Sequence, residues 1–167
     1  MRHLPPRWPQ HVPLPWVCLS TGDNREMAKR RDRQPAVTPL SPCPCGLDAT
    51  YGDCCGALHQ GKAAATAEQL MRSRYTAFVV RDARYLLRTW SAETRPPTLS
   101  FADDIEWTGL EILTTTDGTP FHTEGTVEFQ AHFTLDGTPE TQQENSHFTR
   151  EGGQCVYVKP LPDHKSS

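Results

Sequence analysis

A chain of 167 residues, 36% of them apolar, with a mean hydropathy of −0.61 and a formal charge of −3, suits one soluble domain with appendages rather than two large domains. No run approaches the roughly 20 apolar residues that a membrane-crossing helix needs, which excludes a helical span. The charge is split, 7 Lys/Arg against 3 Asp/Glu in residues 1–40 and 10 against 17 in residues 41–167, and the acidic part is poor material for gripping nucleic acid through its phosphates.

Nine of the 15 prolines fall in residues 1–44, and residues 1–40 are predicted to be a disordered Pro/Arg-rich tail. Its most apolar stretch, Val12 to Leu19, is broken by Pro13 and Pro15, and no small-residue cleavage site follows. Lys29-Arg30-Arg31 precedes Asp32-Arg33-Gln34-Pro35, where a twin-arginine signal needs an apolar helix. Neither export pattern is complete, so a cytoplasmic protein is expected. Met27 opens Met-Ala-Lys-Arg-Arg, a second plausible start that would make residues 1–26 a mis-assigned extension.

Four of the six cysteines lie close together, in Cys43-Pro44-Cys45-Gly46 and Cys54-Cys55-Gly56, with Cys18 and Cys155 apart. Four thiolates at about 2.3 Å from one ion make a tetrahedral zinc site, and the intervening loop is long enough to fold the two pairs together. The alternative is a pair of cross-bridging disulfides from 43 or 45 to 54 or 55, which an oxidising compartment would favour. Without an export signal the metal reading is preferred. His59, four residues after Cys55, is an alternative ligand to one of the last pair. Tyr51 supplies an apolar lid. A site closed by four thiolates has no position for water, so the zinc is structural rather than catalytic, and residues 41–60 form a zinc knuckle.

Thr66-Ala67-Glu68-Gln69 is a capping-box pattern, and Ala67, Leu70, Met71, Tyr75, Phe78 and Val79 recur at helical spacing with Arg72, Arg74 and Arg81 on the flanks. Asp82 caps a second predicted helix from Ala83 to about Trp90, ended by Arg95-Pro96-Pro97. From Ile105 the period changes to two. Ile105 and Trp107 face one way, Leu110 and Ile112 take the opposite parity, and the flip predicts a β-bulge at Gly109. Asp117-Gly118 and Asp136-Gly137 are turns on either side of a strand in which Val127, Phe129, Ala131, Phe133 and Leu135 alternate with polar residues. A more polar strand over 142–150, anchored by Phe148, and a last strand from Cys155 to Val158 follow. Helices first and hairpin-linked strands after imply an α+β fold with a mainly antiparallel sheet, bent by its bulge into a cone with a pocket at the open end.

Cys43-Pro44-Cys45-Gly46 with Cys54-Cys55-Gly56 resembles the SEC-C zinc motif, best known from the carboxyl terminus of the SecA translocation ATPase. Leu70-Met71-Arg72-Ser73-Arg74-Tyr75-Thr76-Ala77-Phe78, Tyr85-Leu86-Leu87-Arg88-Thr89-Trp90 and Trp107-Thr108-Gly109-Leu110 resemble the bacterial YchJ-like family, over roughly residues 41–160. The resemblance implies a SEC-C-like knuckle over 41–60 followed by a nuclear-transport-factor-2-like (cystatin-like) domain over 64–162. The chain departs from the pattern at two places. The segment Leu47 to Asp53 has two acids and no base where SEC-C motifs carry lysines, and Ser91 stands where relatives carry a histidine after Thr-Trp.

Catalytic candidates are weak. His132 shares parity with Glu128 and Gln130 on the solvated face, His147 opposes Phe148, and His122 has no fixed neighbour. Asp103, Asp104, Glu106 and Glu111 read as solvent-facing. The tentative pocket comprises Arg72, Arg74, Tyr75, Trp90 and Trp107, with arginines at a mouth or snorkelling over apolar surface. Cys155 reads as a buried thiol. Nothing has the spacing of a nucleophile with its base, so the expected function is non-catalytic: binding of a protein partner through the knuckle or of a small ligand in the cone. A small-molecule lyase or isomerase in the cone, and an RNA- or ribosome-associated factor, are the alternatives. A partner module predicts exposed Leu47, Tyr51 and Leu58.

Overall fold

A computed structural model describes residues 36–162. The export-signal and start-site readings, Cys18 and all but residues 36–40 of the predicted tail lie outside the described residues. The elements are α1 (Cys55–His59), α2 (Ala67–Val80), α3 (Ala83–Arg88), β1 (Ile105–Asp117), β2 (Glu124–Leu135), β3 (Thr138–Glu151) and β4 (Gln154–Pro160). The strands form one antiparallel sheet in the order β1-β2-β3-β4, with the helices ahead of it in the chain, so the fold is α+β.

Local chemistry sets the boundaries. Thr66 Oγ1 accepts from Gln69 N at 3.1 Å, and Gln69 Oε1 reaches back to Ala65 N at 2.7 Å, so both ends of the capping pattern satisfy free amides at the start of α2. Asp82 caps α3 in the same way through Tyr85 N at 2.9 Å. The second helix stops at Arg88, earlier than the spacing predicts, because Thr89–Ser91 turns to pair with the edge of the sheet: Tyr157 N donates to Thr89 O and Ser91 N to Tyr157 O. Backbone partners on β4 replace those that two more helical residues would have used.

Asp136-Gly137 and Gly152-Gly153 are two-residue hairpin loops with positive φ throughout, the twist-matched turn that joins neighbouring strands. The register of β1 on β2 slips between Trp107 and Gly109, as the change of parity predicts, and again between Ile112 and Thr114. The slip keeps Trp107, Leu110 and Ile112 all against the core.

The core lies between α2 and the sheet. Leu70, Tyr75, Ala77, Tyr85 and Leu86 meet Val127, Phe129, Ala131 and Phe148. Gly118 carries a close approach here: its carbonyl accepts from Ala67 N at 2.9 Å, and an added Cβ would stand 2.6 Å from that of Ala67. Helix α2 has more than the one apolar face that its spacing predicts. Ser73, Arg74 and Thr76 are buried too, since the knuckle and α3 cover the side that the sheet does not.

Candidate metal centre

The knuckle begins as a small hairpin. Pro42 bridges Thr50, Cys43 N donates to Ala49 O at 2.9 Å, and Tyr51 N donates to Ser41 O at 2.8 Å. A turn from Gly46 N to Cys43 O brings Cys43 and Cys45 to the same side. The second pair opens α1, where Cys54 N and Gly56 N both reach Tyr51 O. Position 56 has to be glycine: a Cβ there would come within 2.6 Å of that same carbonyl oxygen.

The result is a convergence of sulfur. The Sγ atoms of Cys43, Cys45, Cys54 and Cys55 all lie within 4.8 Å of one another, with Cys45–Cys54 at 3.6 Å and Cys54–Cys55 at 3.9 Å. Four sulfurs about 2.3 Å from a shared centre stand roughly 3.8 Å apart along the edges of a tetrahedron, so the two close edges match metal coordination. They are far longer than a disulfide bond of about 2.05 Å, and the described cysteines are free thiols. Cys43, Cys45 and Cys55 are buried and Cys54 half-buried. These four residues can hold a metal ion.

Electrostatics agrees with that reading. The S–H groups of Cys45 and Cys55 donate to Cys43 and pull its pKa far down. The same hydrogen bond pushes Cys45 up to about 12, and Cys55 is driven up by its bonds to Cys43 and Cys45. Hydrogen bonding among these three thiols therefore favours ionisation of Cys43 at the expense of Cys45 and Cys55. A divalent cation supplies the charge that lets all four ionise.

His59 does not serve the sulfur cluster. Its Nε2 is 2.9 Å from Ser73 O, which can only accept, so Nε2 carries the proton and Nδ1 accepts from the Tyr51 hydroxyl at 2.8 Å. Burial lowers its pKa and keeps the ring neutral. The histidine thus fastens the knuckle to α2, with its ring 4.4 Å from that of Tyr85. Leu58 enters the same core as Leu70 and Phe129. Arg72 donates to Cys45 O at 2.9 Å, and Arg88 to Leu58 O at 3.1 Å.

Burial corrects the expected knuckle surface. Of Leu47, Tyr51 and Leu58, only Leu47 is well exposed; Leu58 is 3% exposed and Tyr51 half-buried against the cysteines. Leu58 faces the helices because α1 needs an apolar anchor on the larger domain.

The five tentative pocket residues go to three places. Arg72 lies at the knuckle, ion-paired with Glu68 at 2.9 Å. Tyr75 meets Trp107 edge to face inside the core. Arg74 is 4% exposed, between the rings of Trp90 (5.0 Å) and Tyr157 (4.6 Å), and donates to Leu86 O and Thr89 Oγ1. Burial lowers its pKa to about 10, still well above neutrality, so it remains a cation. The pocket-mouth reading of Arg74 gives way because its guanidinium finds carbonyl and aromatic partners inside.

Sequence reasoning missed the polar row that faces this arginine region. Gln142, Glu144 and Ser146 on β3 are buried, with Ser146 Oγ donating to Glu144 Oε1 at 2.7 Å and the Tyr157 hydroxyl 3.5 Å away. Their shared parity with Phe148 was the available signal. His132, by contrast, lies on the outer face beside Thr141 and Glu111. Cys155 is buried, which pushes its thiol up to about 11. A cavity of about 140 Å³ adjoins the sulfur cluster, walled by Leu47, Ala49, Cys54, Leu58, Lys62 and Arg72 among others.

Residues 66–160 match the family described as YchJ, middle NTF2-like domain. The chain is 53% identical over 121 residues to a UPF0225 protein of Streptomyces coelicolor, covering 72% of this chain and 94% of that protein. It is 49% identical over 116 residues to a UPF0225 protein of Corynebacterium glutamicum, covering 69% and 92%. Among solved structures it is similar to a SEC-C motif containing protein from Rhodopseudomonas palustris, with a TM-score of 0.63, 30% identity and coverage of 72% and 98%. A SEC-C motif containing protein from Psychrobacter arcticus gives a TM-score of 0.57 at 26% identity, covering 77% and 85%.

Proposed function

Because the chain belongs to the YchJ-like family, we propose that it is a cytoplasmic zinc protein, non-catalytic, in which a SEC-C knuckle docked on a nuclear-transport-factor-2-like domain binds a protein partner or a small ligand. One observation carries the reading: four sulfurs gathered within 4.8 Å on a short segment with little other interior. An all-sulfur tetrahedral set suits zinc by softness and geometry. Bound there, zinc supplies charge and cross-linking rather than Lewis acidity, since four protein ligands leave no position for substrate.

The filled interior of the larger domain speaks against a catalytic cavity and equally against a ligand inside it, which favours a protein partner at the knuckle. Phe129, Phe148 and the ring-sandwiched Arg74 fill that interior, and Glu144 is held by Ser146 and Gln142. No described helix is long and apolar enough to cross a membrane. Elemental analysis of untreated protein tests the reading. One zinc per chain, lost in Cys54→Ser, is expected; absence of metal together with oxidised thiols overturns it.

A further inference from the structure

Phe121 is 94% exposed, yet it stands on a loop that is firmly built. Arg150 donates to the carbonyls of His122 (3.0 Å), Thr119 (3.3 Å) and Ala65 (2.8 Å), and His122 N closes onto Thr119 O at 3.0 Å. The guanidinium thus ties the loop between β1 and β2 to the chain just ahead of α2. An apolar ring held out on a fixed loop loses little entropy when it is buried, which is the economy of preorganised recognition.

The cavity beside the sulfur cluster is a match for it in size, and part of its lining is apolar. Its volume is about 140 Å³ and its walls include Leu47, Ala49 and Leu58; Lys62 contributes a cation, Arg72 is paired with Glu68, and Asp53 adds an acid. An apolar cavity of about 150 Å³ accepts a benzene-sized ring. The acids that flank the Phe121 loop, Asp117 and Glu124, are exposed and opposite in sign to Lys62. A charge asymmetry runs through the chain: residues 41–95, which wall the cavity, carry 7 Lys/Arg and 5 Asp/Glu, whereas residues 103–160 carry 2 and 11.

We propose that a second copy of this chain occupies the cavity with its Phe121, and that the exchange is reciprocal. The loop is bonded at Ala65 and Ala67, and the cavity takes Lys62 and Gln69 from the same end of α2. Knob and hole therefore adjoin, and a two-fold axis can seat each in the other to close a dimer. The dimer rests on a folded knuckle, because Cys54 and Cys55 line the cavity.

The test is sedimentation of the full-length chain over a range of concentrations, with metal content measured on every sample. A species of twice the 18.7 kDa chain mass is expected, weakening as salt rises. Phe121→Ala removes an exposed side chain; one central aromatic anchor is worth about thirty-fold, and since the reciprocal dimer loses both, its association weakens about a thousand-fold. Leu47→Glu, at an exposed cavity wall, does the same. Mixing the two variants is decisive: each homodimer has both contacts damaged, whereas the mixed dimer keeps one intact, so the mixture associates more tightly than either variant alone. A wild-type monomer throughout the range, whether the cavity is filled by the chain's own amino-terminal segment or by another protein, overturns the proposal, as does a dimer that both variants leave unchanged. Normal metal content in a monomeric wild type would sink the dimer and leave the zinc reading standing.

Discussion

Leu58→Ala measures whether knuckle and larger domain share one interior. Leu58 is 3% exposed and belongs to the cluster that includes Leu70, Tyr85 and Phe129. Truncating a buried leucine costs about 2–5 kcal/mol, the transfer of the lost methyls plus the cavity left behind. The second contribution is small here, since Leu58 already borders the cavity beside the cysteines and water can enter the vacated space. The loss is therefore about 3 kcal/mol, a large share of the roughly 5–15 kcal/mol that holds a domain together. For a folded unit of this size it lowers Tm by roughly 10–15 °C. Thermal unfolding followed by far-ultraviolet circular dichroism, with metal retention assayed in parallel, reads both consequences. One cooperative transition shifted by that amount, with weaker metal retention, is expected. An unchanged main transition would refute the reasoning, because it would mean that the α1 anchor contributes nothing to the core around α2.

Arg74→Met should cost about 3–5 kcal/mol in urea unfolding, as it removes a buried cation from two hydrogen-bond acceptors and from the vicinity of Glu144; a neutral result would show that ring packing alone holds the site. Gly56→Ala should abolish tight metal binding, measured by competition with a chelator, because the added methyl collides with Tyr51 O. His59 should titrate below its ordinary 6.5 in an NMR pH series, owing first to burial. The unfolded chain then binds a proton that the native one refuses, so this residue's contribution is complete above 6.5 and fades as pH falls through the folded pKa. A value at or above 6.5 would contradict the Nε2-protonated, doubly bonded ring. Cys155, whose thiol burial raises to about 11, should escape alkylation of the native protein at neutral pH, as read by mass spectrometry.

Much of this protein is written in short-range patterns. The spacing of the four cysteines, the caps at Thr66 and Asp82, the turns at Asp117 and Asp136 and the parity flip at Gly109 each depend on a few neighbouring residues, and each is found where the pattern puts it. Such features are legible because backbone geometry decides them locally, whatever the rest of the chain does.

Burial of polar groups is different in kind. Periodicity tells which residues share a face; it does not tell whether a second layer will cover that face. Ser73 and Arg74 look like solvated flank positions until the knuckle and α3 close over α2, and Gln142, Glu144 and Ser146 look like an exposed strand until their partners line up within reach. His59 could as well have been a ligand; only the arrival of Ser73 O and the Tyr51 hydroxyl at its two nitrogens makes it a fastening. Amino-acid order alone determined the sulfur cage and the strand-turn scheme, because both are settled within a few residues. Tertiary structure decided what the cage is bolted to and which charges lie inside, because those depend on surfaces meeting across distances that no local pattern encodes.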